Sequence, residues 1–388
     1  MNIVILPSWF RMKSNIISGS FFLEQAIAMA KLGHKVTIIN AQIIPTRTYL
    51  KYERDIGVKH YEESGVEIYE YKTGAYCTGR SATITTKWYE KKVERILKKI
   101  LKKQNVDILH GHTFYPAGIA AVNLGKKYNI PSVITEHFTA LITGSLTVKK
   151  AYDYVKPTFD DANAVSCVSR YFSDVVYEKY NLHTAPEVTP NILNTAFKYS
   201  GNTSTTPFVF TTIGRLIDHK RPHKIIEALA KVKNAGYNVK LNVIGDGADR
   251  EKLENLANEL GISDDVIFFG YIPREDVSEY LKKSNVYVHT SIVETFGVVY
   301  MEALAAGCPV VAVKNGACEE IVNNDNGYLV DPDNEEQLVK AMIDVIENYD
   351  RFDRFEISRA TREKYSEMTV AKKYEDLYNL AISNFNNK

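Results

Sequence analysis

Residues 286–313 read VYVHTSIVETFGVVYMEALAAGCPVVAV. The run divides into a β-branched strand, VYVHTS, a loop, IVETFG, a helix, VVYMEALAAG, and a second apolar strand after Pro309. A span of ~20 uninterrupted apolar residues would suggest a membrane helix. Here Glu302 sits inside the run, and the Ala-Gly-Cys-Pro break ends the helix near Gly307. A strand, a helix and a strand in succession are the unit of a parallel sheet with helices on its faces.

The same rhythm extends in both directions. NIVIL, KVTIIN, VEIYEYK, VDILHGH, PSVITEHF and AVSCVS read as strands of a first half, with helices between several of them, including one over residues 87–103. From Phe208 it restarts with FVFTTIGR, VKLNVIGDG and VIFFG, followed by the opening stretch. AKLGHKVTII and VKNAGYNVKLNVI both pass from helix through a glycine to a strand, so Gly33 and Gly236 are expected at helix ends with positive φ. The polar, turn-rich NTAFKYSGNTSTTP reads as a linker. At 388 residues the chain exceeds the ~250–300 at which one core stops growing. The reading is therefore α/β with two doubly wound domains facing across a cleft, residues 1–195 and 207–365. A terminal helix, 366–388, is expected to pack back on the first. Ligands in such sheets bind outside the carboxyl ends of the strands.

MNIVIL followed by Pro7 looks like a first strand rather than a leader, which predicts a cytoplasmic protein. Cys77, Cys167, Cys308 and Cys318 lack the spacing of a zinc site or a disulfide framework. Residues 1–195 hold 25 Lys and Arg against 17 Asp and Glu, net +8, whereas 196–388 hold 23 against 30, net −7. One half is thus suited to an anionic partner.

Three constellations carry chemistry. In the opening stretch, Glu294 in the loop and Glu302 in the helix can reach around one ligand, while the first helical amides, from Phe296 onward, form an anion-binding end. Carboxylates repel phosphate, so these two suit the neutral hydroxyls of a sugar or ribose. The alternative leaves Glu302 facing solvent. In IGRLIDHKRP, Arg215 and Lys220 at a strand end could hold a diphosphate and stabilise it as a leaving group, in place of a metal ion. A solvated basic turn is the plainer alternative. In VDILHGHT and SVITEHF, His110, His112 and His137 stand at neighbouring strand ends. No acidic residue has zinc-ligand spacing, so the reading is no metal, with a histidine acting as hydrogen-bond donor or proton carrier. VIGDGADR fails G-x-G-x-x-G, since Arg250 stands at the third glycine position.

Taken together these residues resemble family 4 of the retaining glycosyltransferases, which have the GT-B fold. The likeness runs through Gly19, LGHKVTII, DILHGH, ITEHF, AVSCVS, VTPNILNTAF, IGRLIDHKRP, VIGDGADREKL, ETFGVVYMEALAAGCPVVA and NGYLVDPDN. It implies a metal-independent, cofactor-free transfer from a nucleoside diphosphate sugar to a glycan or lipid-linked acceptor, as in bacterial surface polysaccharide synthesis, with no nucleic-acid partner. By position it assigns Arg215 and Lys220 to the diphosphate, Glu302 to the ribose, and Glu294 to the donor sugar. Thr295, Phe296, Gly297 and Val298 would touch sugar and phosphate through their amides, His137 would lie at the donor sugar, and Gly19 near the phosphates. Two departures are Ser18-Gly19-Ser20, where relatives have paired glycines, and Pro190-Asn191-Ile192, where they have Pro-Asn-Gly.

A nicotinamide oxidoreductase would need the glycine fingerprint that is lacking. A sugar-nucleotide epimerase of the same fold would need no acceptor, and a non-catalytic sugar-nucleotide-binding subunit would not need His137. KWYEKKVERILKKILKK, residues 87–103, has an apolar stripe at Val93, Ile96, Leu97, Ile100 and Leu101 and a net charge of +6. It is expected to pack on the sheet, with its lysines offered to water or to an anionic membrane surface.

Overall fold

The computed structural model describes residues 1–12, 18–45, 57–75, 81–146, 148–201 and 203–387. Cys77 lies outside them, within residues 76–80. The chain forms two compact units, Met1–Ile192 with Glu367–Lys388, and Leu193–Ser366.

The first unit holds β1 (Asn2–Pro7), β2 (Lys35–Pro45), β3 (Gly57–Glu63), β4 (Val66–Ala75), β5 (Ile108–His112), β6 (Ser132–Glu136), β7 (Ala164–Cys167) and β8 (Glu187–Val188). They lie in the order β3-β4-β2-β1-β5-β6-β7-β8. Alternation along β1 explains why NIVIL carries no polar face. Ile3 and Ile5 pack with Phe22 and Met29 of the helix Ser20–Lys31 and with Tyr374 and Tyr378 of the terminal helix Glu367–Asn386. Val4 and Leu6 pack on the other side with Val93, Ile96 and Leu97 of the helix Ala82–Leu101. A strand buried on both faces reads as a continuous apolar run.

One strand departs from the expected parallel sheet. β3 runs antiparallel to β4 at the sheet edge, through the two-residue turn Ser64-Gly65, whose φ angles are 51° and 82°. Two positive φ values are those of the hairpin turn whose twist matches its strands. GVKHYEE is largely exposed, so no apolar pattern marks it.

The second unit holds β9 (Phe208–Ile213), β10 (Val239–Ile244), β11 (Val266–Gly270), β12 (Val286–His289), β13 (Val310–Val313) and β14 (Gly327–Val330), in the order β11-β10-β9-β12-β13-β14. The strands pair in parallel throughout. The chain leaves β9 toward β10 on one side and returns to β12 on the other, so the loops after β9 and β12 diverge at a topological switch point. The described residues of 194–207, expected to be a linker, belong to this unit. Phe197 is fully buried, the Tyr199 amide donates to Ser358 Oγ, and the Thr203 hydroxyl donates to the Lys282 carbonyl. Gly33 and Gly236 take the positive φ expected of them, 89° and 99°.

Candidate functional site

In the second unit, β9 and β12 deliver their loops to one place. After β9 a single 3-10 turn, Asp218–Lys220, brings Lys220 round before the helix Pro222–Asn234 begins. The Thr290 hydroxyl, just after β12, donates to the carbonyls of Lys220 and Arg221 at 3.2 and 2.7 Å, tying the loops together. Lys220 Nζ forms an ion pair with Glu294 Oε1, and His289 Nε2 lies 2.9 Å from the same oxygen. Tyr287 OH in turn lies 3.0 Å from His289 Nδ1. Burial pushes the Glu294 carboxyl up, but the His289 hydrogen bond and the Lys220 charge outweigh it and hold the pKa at about 2. Glu294 is therefore an anion at any physiological pH.

Arg215 is exposed at the end of β9. Burial, Lys220 and then Arg215 all lower the pKa of His219, which places both cations around that ring. The glycines of VIGDG serve this loop. A methyl group on Gly247 would lie 2.2 Å from the Leu216 carbonyl oxygen, and the Leu216 amide donates to Asp246 at 3.0 Å. The motif that fails as a nucleotide fingerprint thus lets the β10 loop back the Arg215 loop.

Glu302, on the helix Val298–Ala305, does not face solvent. It is 5% exposed, and Arg274 grips Oε1 through Nε at 2.7 Å and a second guanidinium nitrogen at 2.6 Å. Gly297 caps this helix with φ 77°, where a methyl group would lie 2.3 Å from the Tyr300 ring. Asn315 fixes the loop from behind, donating to the Ser291 carbonyl at 3.0 Å and to Tyr300 OH at 2.9 Å. Thr295, Phe296, Gly297 and Val298 thus span the turn from Glu294 into the helix, with Phe296 buried.

In the first unit, Gly19 (φ 72°) caps the helix Ser20–Lys31; His112 ends β5 and His137 follows β6, whereas His110, expected at a strand end, lies in the middle of β5. His110 is absorbed by structure, with Nε2 2.9 Å from Thr135 Oγ1 and Nδ1 2.9 Å from Tyr378 OH. His112 Nδ1 lies 3.0 Å from His137 Nε2. Burial holds all three pKa values low, at about 3 for His110 and His137, so the rings are neutral. Glu136 accepts the amides of Phe114, His137 and Phe138 at 2.7 to 2.8 Å, and burial raises its pKa to about 7. Among the described residues no group of three or more His, Cys, Asp or Glu is arranged to hold a metal ion. Cys167, Cys308 and Cys318 are buried free thiols.

His289, Arg274 and Asn315 belong to this site, yet sequence reasoning does not single them out. His289 carries a signal, as the last residue of a strand whose loop holds Glu294. Arg274 carries none, being one charge among many in PREDVSEYL.

These two parallel-sheet units define the GT-B fold. The profile described as glycosyltransferase family 4 matches residues 18–197, and that of glycosyl transferases group 1 matches residues 195–364. The chain belongs to this glycosyltransferase family. An uncharacterized glycosyltransferase of Methanocaldococcus jannaschii is 28% identical over 290 residues, 73% of this chain and 79% of that protein. The gpi3 subunit of phosphatidylinositol N-acetylglucosaminyltransferase from Schizosaccharomyces pombe is 25% identical over 391 residues, 97% of this chain and 80% of that protein. The solved structure of Anabaena HepE in complex with UDP superposes with a TM-score of 0.73 at 17% identity, covering 97% of this chain and 99% of HepE.

Proposed function

We propose that this glycosyltransferase moves a hexose or related sugar from a nucleoside diphosphate donor to a glycan or lipid-linked acceptor. The transfer keeps the anomeric configuration and uses neither metal ion nor cofactor, and it serves bacterial surface polysaccharide or other glycoconjugate synthesis. The observation that carries this reading is Lys220 held against an ionised Glu294, with Arg215 nearby, at the switch point between β9 and β12. A donor diphosphate there competes with Glu294 for Lys220. Lys220 and Arg215 then stabilise the negative charge that grows on the departing diphosphate, while Glu294 is released to accept from a sugar hydroxyl. Glu302, oriented by Arg274, accepts from the ribose hydroxyls. The amides of Thr295 to Val298 and Gly19 approach sugar and phosphate, and His137 lies at the sugar. Uridine is the base we favour, because HepE was solved with UDP.

Anionic membrane association is a second element of the proposal. Lys87, Lys91, Arg95, Lys98 and Lys102 recur every three or four residues along the exposed side of the helix Ala82–Leu101 and its C-cap, and the apolar stripe packs on the sheet. No helix among the described residues is long and apolar enough to cross a membrane, and peripheral attachment on the cytoplasmic side needs none.

Thermal shifts with UDP-, GDP- and ADP-sugars test the donor, since a ligand that binds only the folded state stabilises it. A UDP-sugar should raise the midpoint most. No shift with any of them would contradict the proposal.

A further inference from the structure

Arg221, the residue that caps the helix Pro222–Asn234, sits in the left-handed region with φ 54° and ψ 41°. Two features of the sequence oppose that conformation. In this region the Cβ of an L-residue crowds the carbonyl oxygen that follows it, which is why glycine usually fills such positions. Residue 222 is proline, and a proline ring pushes the residue before it toward extended backbone. Arg221 is thus strained on both counts, and strain of this kind persists only where the surroundings over-determine it.

The Arg221 amide donates to the Asp218 carbonyl at 2.9 Å, and the Lys224 amide donates to the Arg221 carbonyl at 3.0 Å. Both bonds stay within the segment that Arg221 joins. The guanidinium pairs with Asp333, whose side chain is 73% exposed, and exposed ion pairs contribute little. Thr290 differs from these. It is buried, at 2% exposure, on the loop that leaves β12, and its hydroxyl faces the Arg221 carbonyl at 2.7 Å and the Lys220 carbonyl at 3.2 Å. Those two carbonyls flank the φ and ψ bonds of Arg221. In extended backbone successive carbonyls point opposite ways, so one hydroxyl cannot serve both once Arg221 relaxes.

We propose that Thr290 is a positioning residue: its hydroxyl holds Arg221 left-handed and thereby keeps Lys220 directed at Glu294 and, in the reaction, at the donor diphosphate. The helix beyond is anchored by the buried Pro222, Ile225 and Ile226. Relaxation of Arg221 therefore swings the Asp218–Lys220 turn rather than the helix, and Lys220 Nζ leaves Glu294. The inference rests on the proposed leaving-group role of Lys220 only for its effect on turnover; the conformation of Arg221 stands apart from it.

The test compares Thr290→Ser, Thr290→Val, Arg221→Gly and the Thr290→Val/Arg221→Gly double variant. Valine keeps the shape of threonine without the hydroxyl, and glycine takes the left-handed conformation without the Cβ clash. Crystal structures of the variants read the backbone. Residue 221 should turn to negative φ in Thr290→Val and keep positive φ in the double variant, and a left-handed Arg221 in Thr290→Val would overturn the inference. UDP release from UDP-glucose and UDP-N-acetylglucosamine reads the consequence. Thr290→Ser should stay within about threefold of the wild type, whereas Thr290→Val should lose about tenfold or more in kcat with little change in KM. The double variant should recover to within about threefold of Arg221→Gly. A double variant as slow as Thr290→Val would overturn the proposal, because the loss would then come from the missing hydroxyl and not from the released strain. Wild-type turnover in Lys220→Ala would sink the leaving-group role instead, and the backbone of Thr290→Val would still decide this inference on its own.

Discussion

Arg274 and Glu302 form a buried ion pair in which two guanidinium nitrogens converge on a single carboxylate oxygen, at 2.7 and 2.6 Å. The side chains are 18% and 7% exposed, so the pair lies largely out of water. Removing one partner of such a pair strands the other and costs ~3–5 kcal/mol. Arg274→Ala is expected to destabilise the fold on that scale and to weaken UDP binding, since Glu302 loses the group that orients it. The Arg274→Ala/Glu302→Ala double variant should lose clearly less stability than the sum of the single losses. Urea unfolding of the four proteins checks this, and additive losses would mean that the pair is not coupled.

In the proposed leaving-group role, Lys220 and Arg215 act on charge that appears only as the sugar–diphosphate bond breaks. Lys220→Ala and Arg215→Ala should each cut kcat by roughly 10²-fold or more. Lys220→Ala also strips Glu294 of a counter-charge while the His289 contact stays in place. Rates near the wild-type value in either variant would remove that residue from the leaving-group role.

The strands and their glycine-marked helix ends are legible because they obey local rules. Ile3 to Leu6 are apolar at every position because both faces of β1 are covered, and Gly33 and Gly236 stand where a helix must stop. β3 is not legible, since an exposed edge strand has no side that must be apolar. The site residues Glu294 and Lys220 can be picked out by their strand-end positions, but their pairing cannot. They are 74 positions apart, and only the β9–β12 adjacency brings them together. Arg274 is hidden for the same reason. Its meaning lies in a carboxylate 28 residues away, on another helix. Residues 194–207 mislead because turn-rich composition describes the backbone and says nothing of Phe197, buried beneath it.

Glu136 should leave a mark on the pH dependence of stability. Its native pKa, about 7, lies above the ordinary value of 4.5. Between those values the unfolded state has released the proton that the native state keeps. Stability from this group is therefore full below about pH 4.5 and declines as pH rises toward 7. Glu136→Gln should lower stability overall, through mismatch with the three amides, and should flatten the slope between about pH 5 and pH 7. Unfolding midpoints at a series of pH values read this, and an unchanged slope would contradict it.

The exposed basic stripe on the helix Ala82–Leu101 makes a salt-dependent expectation. Co-sedimentation with anionic vesicles should occur at low ionic strength and fade as the Debye length falls from ~10 Å to ~3 Å. Replacing Lys87, Lys91 and Lys102 by Gln should reduce it without altering thermal stability, because these residues are exposed. No sedimentation at low salt would leave the helix as sheet scaffold alone.

Retained transfer from a nucleoside diphosphate sugar can be tested before the acceptor is known. Water serves as a slow acceptor, and proton NMR can follow the sugar released from UDP-glucose or UDP-N-acetylglucosamine in the presence of chelator. The α-anomer should appear first, matching the α-linked donor, and equilibrate with the β-anomer only later. First appearance of the β-anomer, or cleavage that stops when chelator is added, would contradict it.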